Sequence, residues 1–371
     1  MTPASAAPPP PPRPVAGAEG ALAAVLASPD LLGCAVQPVV DLERAVVAGY
    51  EVLARPAPRL GVGPAPLFAA AAEDIGSLEA LHVLALRTAH PLLADLPPDT
   101  FLTVNADARA LASPRVLAEL LAWGDLGGLV VEVLEERWPD DHGPVLSSLD
   151  ALRAAGALVA LDDVGAAWAG LSRVLEVRPS FVKLDRHLVA RLGHDPAVEA
   201  TVRAVGDMAD TLDAWVCLEG VETPDQLAAA ARLGVPLAQG YLLGRPAAAW
   251  PQPDLAVVRE LRSETGSGAG LAGLVRTPGR GDLEVDDRGR PLSVGASLPD
   301  GRAWRHPVTA LGIRTSPHAA LARAMARPPQ DRFAPLVVTA ADGRALGLVH
   351  VDALATAVAA SSGRAGTAGR G

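Results

Sequence analysis

The chain has 371 residues, of which half are hydrophobic, and it carries a formal net charge of -10. This length suffices for one large core and a second, smaller domain. The acidic balance argues against binding nucleic acid or an anionic membrane surface through a basic face. We therefore expect no nucleic-acid or membrane partner, and look instead to small molecules and other proteins.

The two cysteines and the N-terminal segment argue against disulfide-rich, zinc-stabilised, membrane-spanning and secreted proteins. Cys34 and Cys217 are far apart and form no CxxC motif, which argues against a disulfide framework or a structural zinc site. No run of about 18 uncharged apolar residues predicts a membrane span, and the proline-rich start has no secretion-signal core. We predict that residues 1–28 form a disordered tail and that the protein is cytoplasmic.

Residues 30–250 alternate between short Val- and Leu-rich runs and longer segments with helical spacing. Such alternation predicts parallel strands joined by crossover helices, an α/β fold. Helices are expected at 113–123 and at 223–234, the second with Thr223 as N-cap and Gly234 at its end. The predicted strands are 34–42, 47–55, 100–106, 128–135, 157–163, 181–185, 214–220 and 237–244.

Polar residues recur at the C-terminal ends of these apolar runs. In an eight-stranded α/β barrel, the ends of several strands form the active site at that rim. Any one of the residues is explained equally well as a loop start or a helix cap. Together they predict a functional site, and they are Asn105, Glu132, Asp162, Asp163, Lys183, Asp185, Glu219 and Gln239.

The residue types at this rim suggest metal-dependent chemistry. Carboxylate and amide oxygens without His or Cys favour Mg²⁺ or Mn²⁺ over zinc, and two such ions are a common device for hydrolysing phosphate esters. Lys183 would then steady the attacking water or the phosphate charge, and Glu219 would act as the general base. The candidate oxygen ligands are Glu51, Asn105, Glu132, Asp162 and Asp163.

The motifs resemble those of EAL-domain cyclic-di-GMP phosphodiesterases. The segment QPVVDLERAVVAGYEVLARP (37–56) is similar to the opening of that family, with Glu51-Val52-Leu53-Ala54-Arg55 where the signature has Glu-Ala-Leu-Leu-Arg. The likeness covers about 35–248, and it implies an EAL-type (β/α)8 TIM-like barrel. It continues through FLTVNADARAL, LVVEVLEE, LVALDDVGAAWAGLSRV, FVKLDRHLV, CLEGVETPDQL and QGYLLGRP.

The resemblance also assigns roles to individual residues. It makes Glu51, Asn105, Glu132, Asp162 and Asp163 ligands of two Mg²⁺ or Mn²⁺ ions, with Lys183 and Glu219 serving the attacking water. The tripeptide Glu79-Ala80-Leu81, although it spells the family's name, lies in an apolar-periodic helix and is not the signature. Substrate contacts are implied for Arg55, Gln37 and Gln239, and stabilisation of the loop after Asp163 for Glu135 and Glu222.

One departure from the family pattern concerns the loop that follows the paired aspartates. The family has Asp-Asp-Phe-Gly-(Thr/Ala)-Gly-Tyr, whereas this chain continues with Val164-Gly165-Ala166-Ala167-Trp168. Alanine at 167 removes a position that can adopt positive φ freely. Because this loop couples dimerisation to activity in the family, the resemblance implies a homodimer whose turnover depends on this segment.

The sequence pattern changes after Pro251, which indicates a second domain. We expect the EAL-type barrel over 29–252, a flexible linker over 253–280 around SETGSGAG, and a smaller α+β domain over 281–371 that ends in a disordered tail. The hairpin-like texts 283–295 and 336–351, about 55 residues apart, resemble a tandem CBS module. That likeness implies an adenine nucleotide as regulatory ligand; the alternative is an unrelated small domain used for dimer contacts.

Three functions are compatible with these motifs. The first is hydrolysis of cyclic-di-GMP to linear pGpG. The second is a catalytically weak EAL domain that acts as a cyclic-di-GMP receptor or protein-interaction scaffold. The third is a structural barrel that has kept its acids without using them, which predicts no effect of Mg²⁺ on stability.

Overall fold

The computed structural model describes residues 17–134, 137–164, 170–265, 271–279, 281–297, 303–313, 315–329 and 331–365. Eight strands form a closed barrel in the order of the chain. They are β1 (Leu32–Asp41), β2 (Val46–Pro56), β3 (Phe101–Ala106), β4 (Leu129–Leu134), β5 (Leu158–Val164), β6 (Phe181–Leu184), β7 (Trp215–Leu218) and β8 (Leu237–Ala238).

Helices surround the barrel, in the order expected of an eight-stranded α/β fold. They are α1 (Gly17–Ala27), α2 (Pro64–Ala71), α3 (Ile75–Ala94), α4 (Ala108–Leu111), α5 (Pro114–Leu121), α6 (Gly143–Ala154), α7 (Gly170–Val177), α8 (Arg186–Val189), α9 (Pro196–Leu212), α10 (Pro224–Leu233) and α11 (Ala256–Thr265), with short 3₁₀ turns at Pro29–Leu31 and Pro58–Leu60. None of the helices in the described ranges is both long and apolar enough to cross a membrane.

The first strand departs from the expected parallel arrangement. β1 pairs antiparallel with both β2 and β8, whereas β2 to β8 are parallel to one another. A parallel neighbour needs a crossover of a dozen or more residues, and only four residues separate β1 from β2. Asp41 tightens this turn, because its Oδ1 accepts the backbone N–H groups of Glu43 and Arg44 at 2.9 and 2.8 Å.

Two segments predicted to lack structure each contain a helix. The predicted disordered tail 1–28 includes α1, whose Ala21 and Val25 are fully buried in the barrel's outer layer. The predicted linker 253–280 includes α11, which buries Val258. In both segments a few apolar side chains at helical spacing supply enough burial to order the backbone. Residues 1–16 and 266–270 lie outside the described residues.

The C-terminal segment forms two small sheets of different topology. Both predicted hairpins are present, β9–β10 and β13–β14, but the first sheet is an antiparallel meander and the second pairs β12 parallel to β13. The described residues therefore do not form a tandem repeat of one module. The elements are β9 (Leu283–Val285), β10 (Pro291–Ser297), β11 (Ala303–His306), β12 (Ala310–Gly312), α12 (Pro317–Ala326), β13 (Leu336–Thr339), β14 (Ala345–Val349) and α13 (Val351–Ala365).

The turn between β13 and β14 closes the lower end of the barrel. Ala341 is buried in one cluster with Phe101, Phe181 and Leu237, the residues that open β3, β6 and β8. We call this cluster the barrel floor. Around it, arginines of the C-terminal segment pair with aspartates that precede barrel strands: Arg344 with Asp99 and Arg288 with Asp125, both at 2.9 Å, and Arg323 with Asp213.

We expect Ala341→Asp to lower the free energy of unfolding of the full chain by about 3 kcal/mol, because it places an unpaired carboxylate in the apolar floor. Denaturant unfolding measures the change. The exposed Ala355 on α13 offers the matched control, since Ala355→Asp is expected to stay within about 0.5 kcal/mol of the parent. Equal effects of both substitutions would contradict the buried placement of Ala341.

Candidate active site

A single lysine lies among four carboxylates at the upper end of the barrel. Lys183, on β6, is only 3% exposed, and its Nζ lies 2.8 Å from Glu132 Oε2 and 3.5 Å from Asp162 Oδ1. The same Nζ lies 3.7 Å from Glu51 Oε2 and contacts Glu219. These acids come from β2, β4 and β5 and from the residue after β7, so the structure brings the predicted residues together around one lysine.

A bulge in β5 brings two consecutive aspartates to this cluster. Successive side chains of a regular strand point to opposite faces, which would send Asp162 and Asp163 apart. The β5–β6 register shifts between Leu161 and Val164, and Asp163 has a φ of 58°. Bulges re-aim side chains in this way beside active sites. One carboxylate oxygen from each of three residues, Asp162, Asp163 and Glu219, lies within 4.8 Å of the others.

Glu51 is held by two side-chain amides. Asn105 Nδ2 donates to its Oε1 at 2.8 Å, and Gln239 Nε2 donates to its Oε2 at 2.7 Å. Gln239 also donates to Gln37 Oε1 at 3.1 Å, and Gln37 Nε2 donates to the carbonyl oxygen of Gly244 at 2.9 Å. In this structure the two glutamines predicted to contact substrate therefore orient Glu51.

This arrangement leaves two amide oxygens available for further partners. Since Asn105 donates through Nδ2, its Oδ1 is the atom left for an additional ligand. Gln239 Oε1 is buried without a hydrogen-bond partner among the described residues. The backbone of Gly240, the residue after Gln239, packs closely against Val221. A Cβ atom at position 240 would lie 2.1 Å from the carbonyl oxygen of Val221, so only glycine fits there.

The cluster holds more negative charge than one ammonium group neutralises. Burial, with the charges of neighbouring acids, raises the pKa of Glu132 to about 8 despite Lys183, and it raises the pKa of Glu219 well above its ordinary value. Burial opposes the charge of Lys183, but Asp162, Glu132, Glu219 and Glu51 outweigh it and raise its pKa. A site of oxygen ligands with surplus negative charge fits a hard divalent cation.

Asp185 is a further acid at the rim, and the sequence assigned it no role. Burial, the charges of Asp162 and Asp185 and a hydrogen bond with Asp185 together raise the pKa of Asp163 to about 6. Asp185 also caps α8 by accepting the N–H of His187 at 2.7 Å. The sequence signal was its position at the end of FVKLD, but a helix cap explained that position equally well.

The remaining predicted residues lie farther from Lys183. Arg55 Nη1 donates to its own neighbour, the carbonyl oxygen of Ala54, at 2.9 Å. Glu222 is exposed, and its backbone N–H donates to Gln226 Oε1. Glu135 and the loop residues 165–168 lie outside the described residues.

A cavity of about 580 Å³ opens beside the carboxylates, between β1, β2, α2 and α3. We call it the α2–α3 cavity. Glu51, Asn105 and Asp163 border it on the barrel side. Its remaining wall includes Cys34, Ala54, Arg55, Phe68, Leu78, His82, Ala85, Leu86, Ala89 and Arg137.

His82 is a buried wall residue of this cavity with a defined tautomer. The backbone N–H of Asp107 donates to Nε2 at 3.0 Å, so the ring proton is on Nδ1, which donates to the carbonyl oxygen of Leu78 at 2.9 Å. Burial lowers the pKa of His82 below its usual 6.5, outweighing the opposing effect of Asp107. The ring therefore links α3 to the segment after β3 as a neutral group.

We expect His82 to lower the free energy of unfolding as the pH drops below about 6.5, by up to about 1.4 kcal/mol per pH unit, against the opposite contribution of the raised carboxyl pKa values of Glu132 and Asp163. Below that pH His82 binds a proton in the unfolded chain but stays neutral in the folded protein. Its stabilising contribution is therefore complete above pH 6.5 and is lost on acidification. Urea unfolding across pH 5 to 8 measures it. His82→Gln is expected to remove this contribution, so that its stability relative to the parent rises as the pH falls, whereas His187→Gln, at an exposed position, is expected to keep the pH dependence of the parent.

Comparison with protein families gives one match over most of the barrel. The model of the EAL domain matches residues 28–246, more than half of the chain. Among curated relatives, the probable cyclic di-GMP phosphodiesterase PdeG of Escherichia coli is 29% identical over 220 residues. The cyclic di-GMP phosphodiesterase RocR of Pseudomonas aeruginosa is 34% identical over 223 residues.

These relatives are longer proteins. Each alignment covers 57% of this chain, and it spans 43% of PdeG and 56% of RocR. Among solved structures, Klebsiella pneumoniae BlrP1 in complex with calcium and cyclic di-GMP is 27% identical with a TM-score of 0.55, over 61% of this chain and 58% of that chain. Its manganese complex at pH 6 matches with 28% identity and a TM-score of 0.53, over 58% and 56%.

Proposed function

Because this chain belongs to the EAL-domain family, we propose that it hydrolyses cyclic-di-GMP to linear pGpG in a reaction that depends on Mg²⁺ or Mn²⁺. The observation that carries the proposal is the cluster of buried carboxylates around Lys183, which has the oxygen ligands and the surplus negative charge for a divalent cation. Relatives named as cyclic di-GMP phosphodiesterases supply the substrate class.

The residues divide into ligands and groups that handle protons. Asp162 and Asp163, which lie at metal-binding spacing with Glu219, belong to the proposed ligand set for two ions together with Glu51, Asn105 and Glu132. Lys183 and Glu219 would serve the attacking water. A bound divalent ion would neutralise phosphate charge and lower the pKa of a water molecule. Gln37 and Gln239 keep Glu51 in place, so that its carboxylate does not need to reorganise on substrate binding.

The chemical step adds one water molecule across one phosphodiester bond. The water oxygen bonds to phosphorus, the bond from phosphorus to the 3′ oxygen breaks, and the leaving oxygen gains a proton. Glu219 would accept the proton of the water, and its contact with Lys183 keeps it oriented. Arg55, which lines the cavity beside Glu51, would contact the substrate phosphate.

We expect Glu51→Gln to reduce turnover of cyclic-di-GMP at least 100-fold, because the amide replaces a charged oxygen in the ligand set. Chromatography of pGpG formed with Mn²⁺ and then Mg²⁺ measures the effect. Glu79→Gln is the matched control: Glu79 belongs to the Glu-Ala-Leu tripeptide within α3, and its substitution should leave turnover unchanged. Loss of activity in both variants would contradict the assignment of the signature to Glu51.

A receptor without turnover is the second candidate, favoured by the alanine at position 167. Binding of cyclic-di-GMP by the parent protein with no pGpG in either metal would establish it and exclude the enzyme. The homodimer, the cytoplasmic location and an adenine nucleotide as ligand of the C-terminal segment remain predictions of the sequence, and the alternative for that segment is an unrelated domain for dimer contacts.

Mg²⁺ or Mn²⁺ is expected to raise the midpoint of thermal unfolding, since a ligand at 100 times its Kd stabilises the native state by about 2.7 kcal/mol. Asp162→Asn together with Asp163→Asn should abolish this metal-dependent shift. Asp287→Asn, at an exposed position of the C-terminal segment, should preserve it. The same shift in all variants would show that the ions bind elsewhere, and no shift in the parent would favour a barrel that does not use its acids.

A further inference from the structure

Arg137 is a cation beside the carboxylate cluster that the proposed reaction does not yet use. It lies three residues after the end of β4 and borders the α2–α3 cavity together with Asp163 and Arg55. Its side chain is exposed, and no acid pairs with its guanidinium within the ranges that the structure describes. A ligand in the cavity therefore meets this charge without displacing a partner.

The backbone of Arg137 has an unusual conformation. Its φ of 59° lies in the left-handed region, which side chains other than glycine rarely adopt, and Asp163 on the same cavity has a φ of 58°. Such strain persists only where neighbouring contacts impose it, and it is concentrated at functional sites. For Arg137 these contacts come from the residue that follows it.

Trp138 anchors this segment to the barrel and to α7. Its indole Nε1 donates to the carbonyl oxygen of the last residue of β4 at 2.8 Å. The guanidinium of Arg173, on α7, lies 3.9 Å from the centre of the Trp138 ring, and the His142 ring meets it edge-on with centroids 5.4 Å apart. Glu176 binds both Arg173 and His142, at 2.7 and 2.8 Å. These contacts hold Trp138 in place, and Arg137 with it.

The other charges around the cavity have assigned roles. Glu51 and Asp163 belong to the proposed ligand set, so a divalent ion would balance their charge. Arg55, on β2 like Glu51, would contact the phosphate at the cluster. Cyclic-di-GMP carries two phosphates, however, and only one of them is cleaved. The second phosphate also loses water on binding and needs a partner of its own.

We propose that Arg137 binds the second phosphate of the cyclic dinucleotide, the one that is not cleaved, and that Trp138 positions Arg137 for this contact. The assignment rests on the proposed function, from which it takes the substrate. A guanidinium can bind a phosphate through two parallel hydrogen bonds, so Arg137 favours a ligand with two phosphates over a ligand with one. Arg137 is thus a specificity-determining residue and takes no part in the chemical step.

The test compares the binding of two nucleotides to the full chain by calorimetry with Ca²⁺, the ion present with cyclic di-GMP in the BlrP1 complex. One is cyclic-di-GMP, and the other is linear GpG, which has the same two guanosines but a single phosphate. Competition against cyclic-di-GMP gives the affinity for GpG if it is weak, and chromatography verifies that neither nucleotide is consumed.

We expect Arg137→Gln to weaken the binding of cyclic-di-GMP at least tenfold and to change the binding of GpG less than twofold. Arg137→Lys keeps the charge and should recover part of the loss. Trp138→Leu removes the anchor and should weaken cyclic-di-GMP at least threefold without affecting GpG, whereas a merely structural role would weaken both nucleotides equally. Arg115→Gln, at an exposed position of α5, is the matched control and should bind like the parent.

An unchanged affinity of Arg137→Gln for cyclic-di-GMP, or equal losses for the two nucleotides, would overturn the assignment. Either result leaves the proposed function intact, because the parent still binds the cyclic dinucleotide. A parent protein that binds no cyclic-di-GMP would instead contradict the proposed function, and the role of Arg137 would be rejected with it.

Discussion

The ammonium group of Lys183 is the interaction on which the upper end of the barrel depends. Without it, Glu51, Glu132, Asp162 and Glu219 would stand unneutralised in a largely buried space. Folding alone gives little reason to gather these acids, because a single cation does not balance them and burial disfavours their charged forms. The fold instead accepts an electrostatic cost at this site, and binding of a divalent ion would relieve it.

The barrel and most of this site follow from sequence patterns. Alternating apolar runs and helical segments locate the strands, and polar residues at strand ends identify Glu132, Asp162, Lys183 and Glu219 as neighbours. The direction of β1 was missed, because an apolar run carries no information about the orientation of its strand. The short connection between β1 and β2 does indicate an antiparallel pair, since four residues cannot make the crossover that parallel strands need.

Other features depend on contacts that no local pattern reveals. The bulge at Asp162 and Asp163 arises from pairing between β5 and β6, and the hydrogen bonds from two amides to Glu51 join residues 54 and 188 positions apart in the chain. The proline run before α1 suggested a disordered tail, so the helix was not predicted. The helix is ordered because Ala21 and Val25 are buried. The α2–α3 cavity is likewise a property of packing, because small residues on separate elements face one another there.

The floor contact of Ala341 has a consequence for how the chain matures. β1 needs β8 to close the barrel, and Ala341 of the C-terminal segment packs against the apolar lower ends of β3, β6 and β8. During synthesis, a nearly complete barrel would thus present Phe101 and Phe181 to solvent until the final part of the chain had left the ribosome. The C-terminal segment therefore shields the apolar lower end of the newly synthesised barrel. Truncated proteins that end after α11 would leave this apolar surface exposed and would be prone to aggregation.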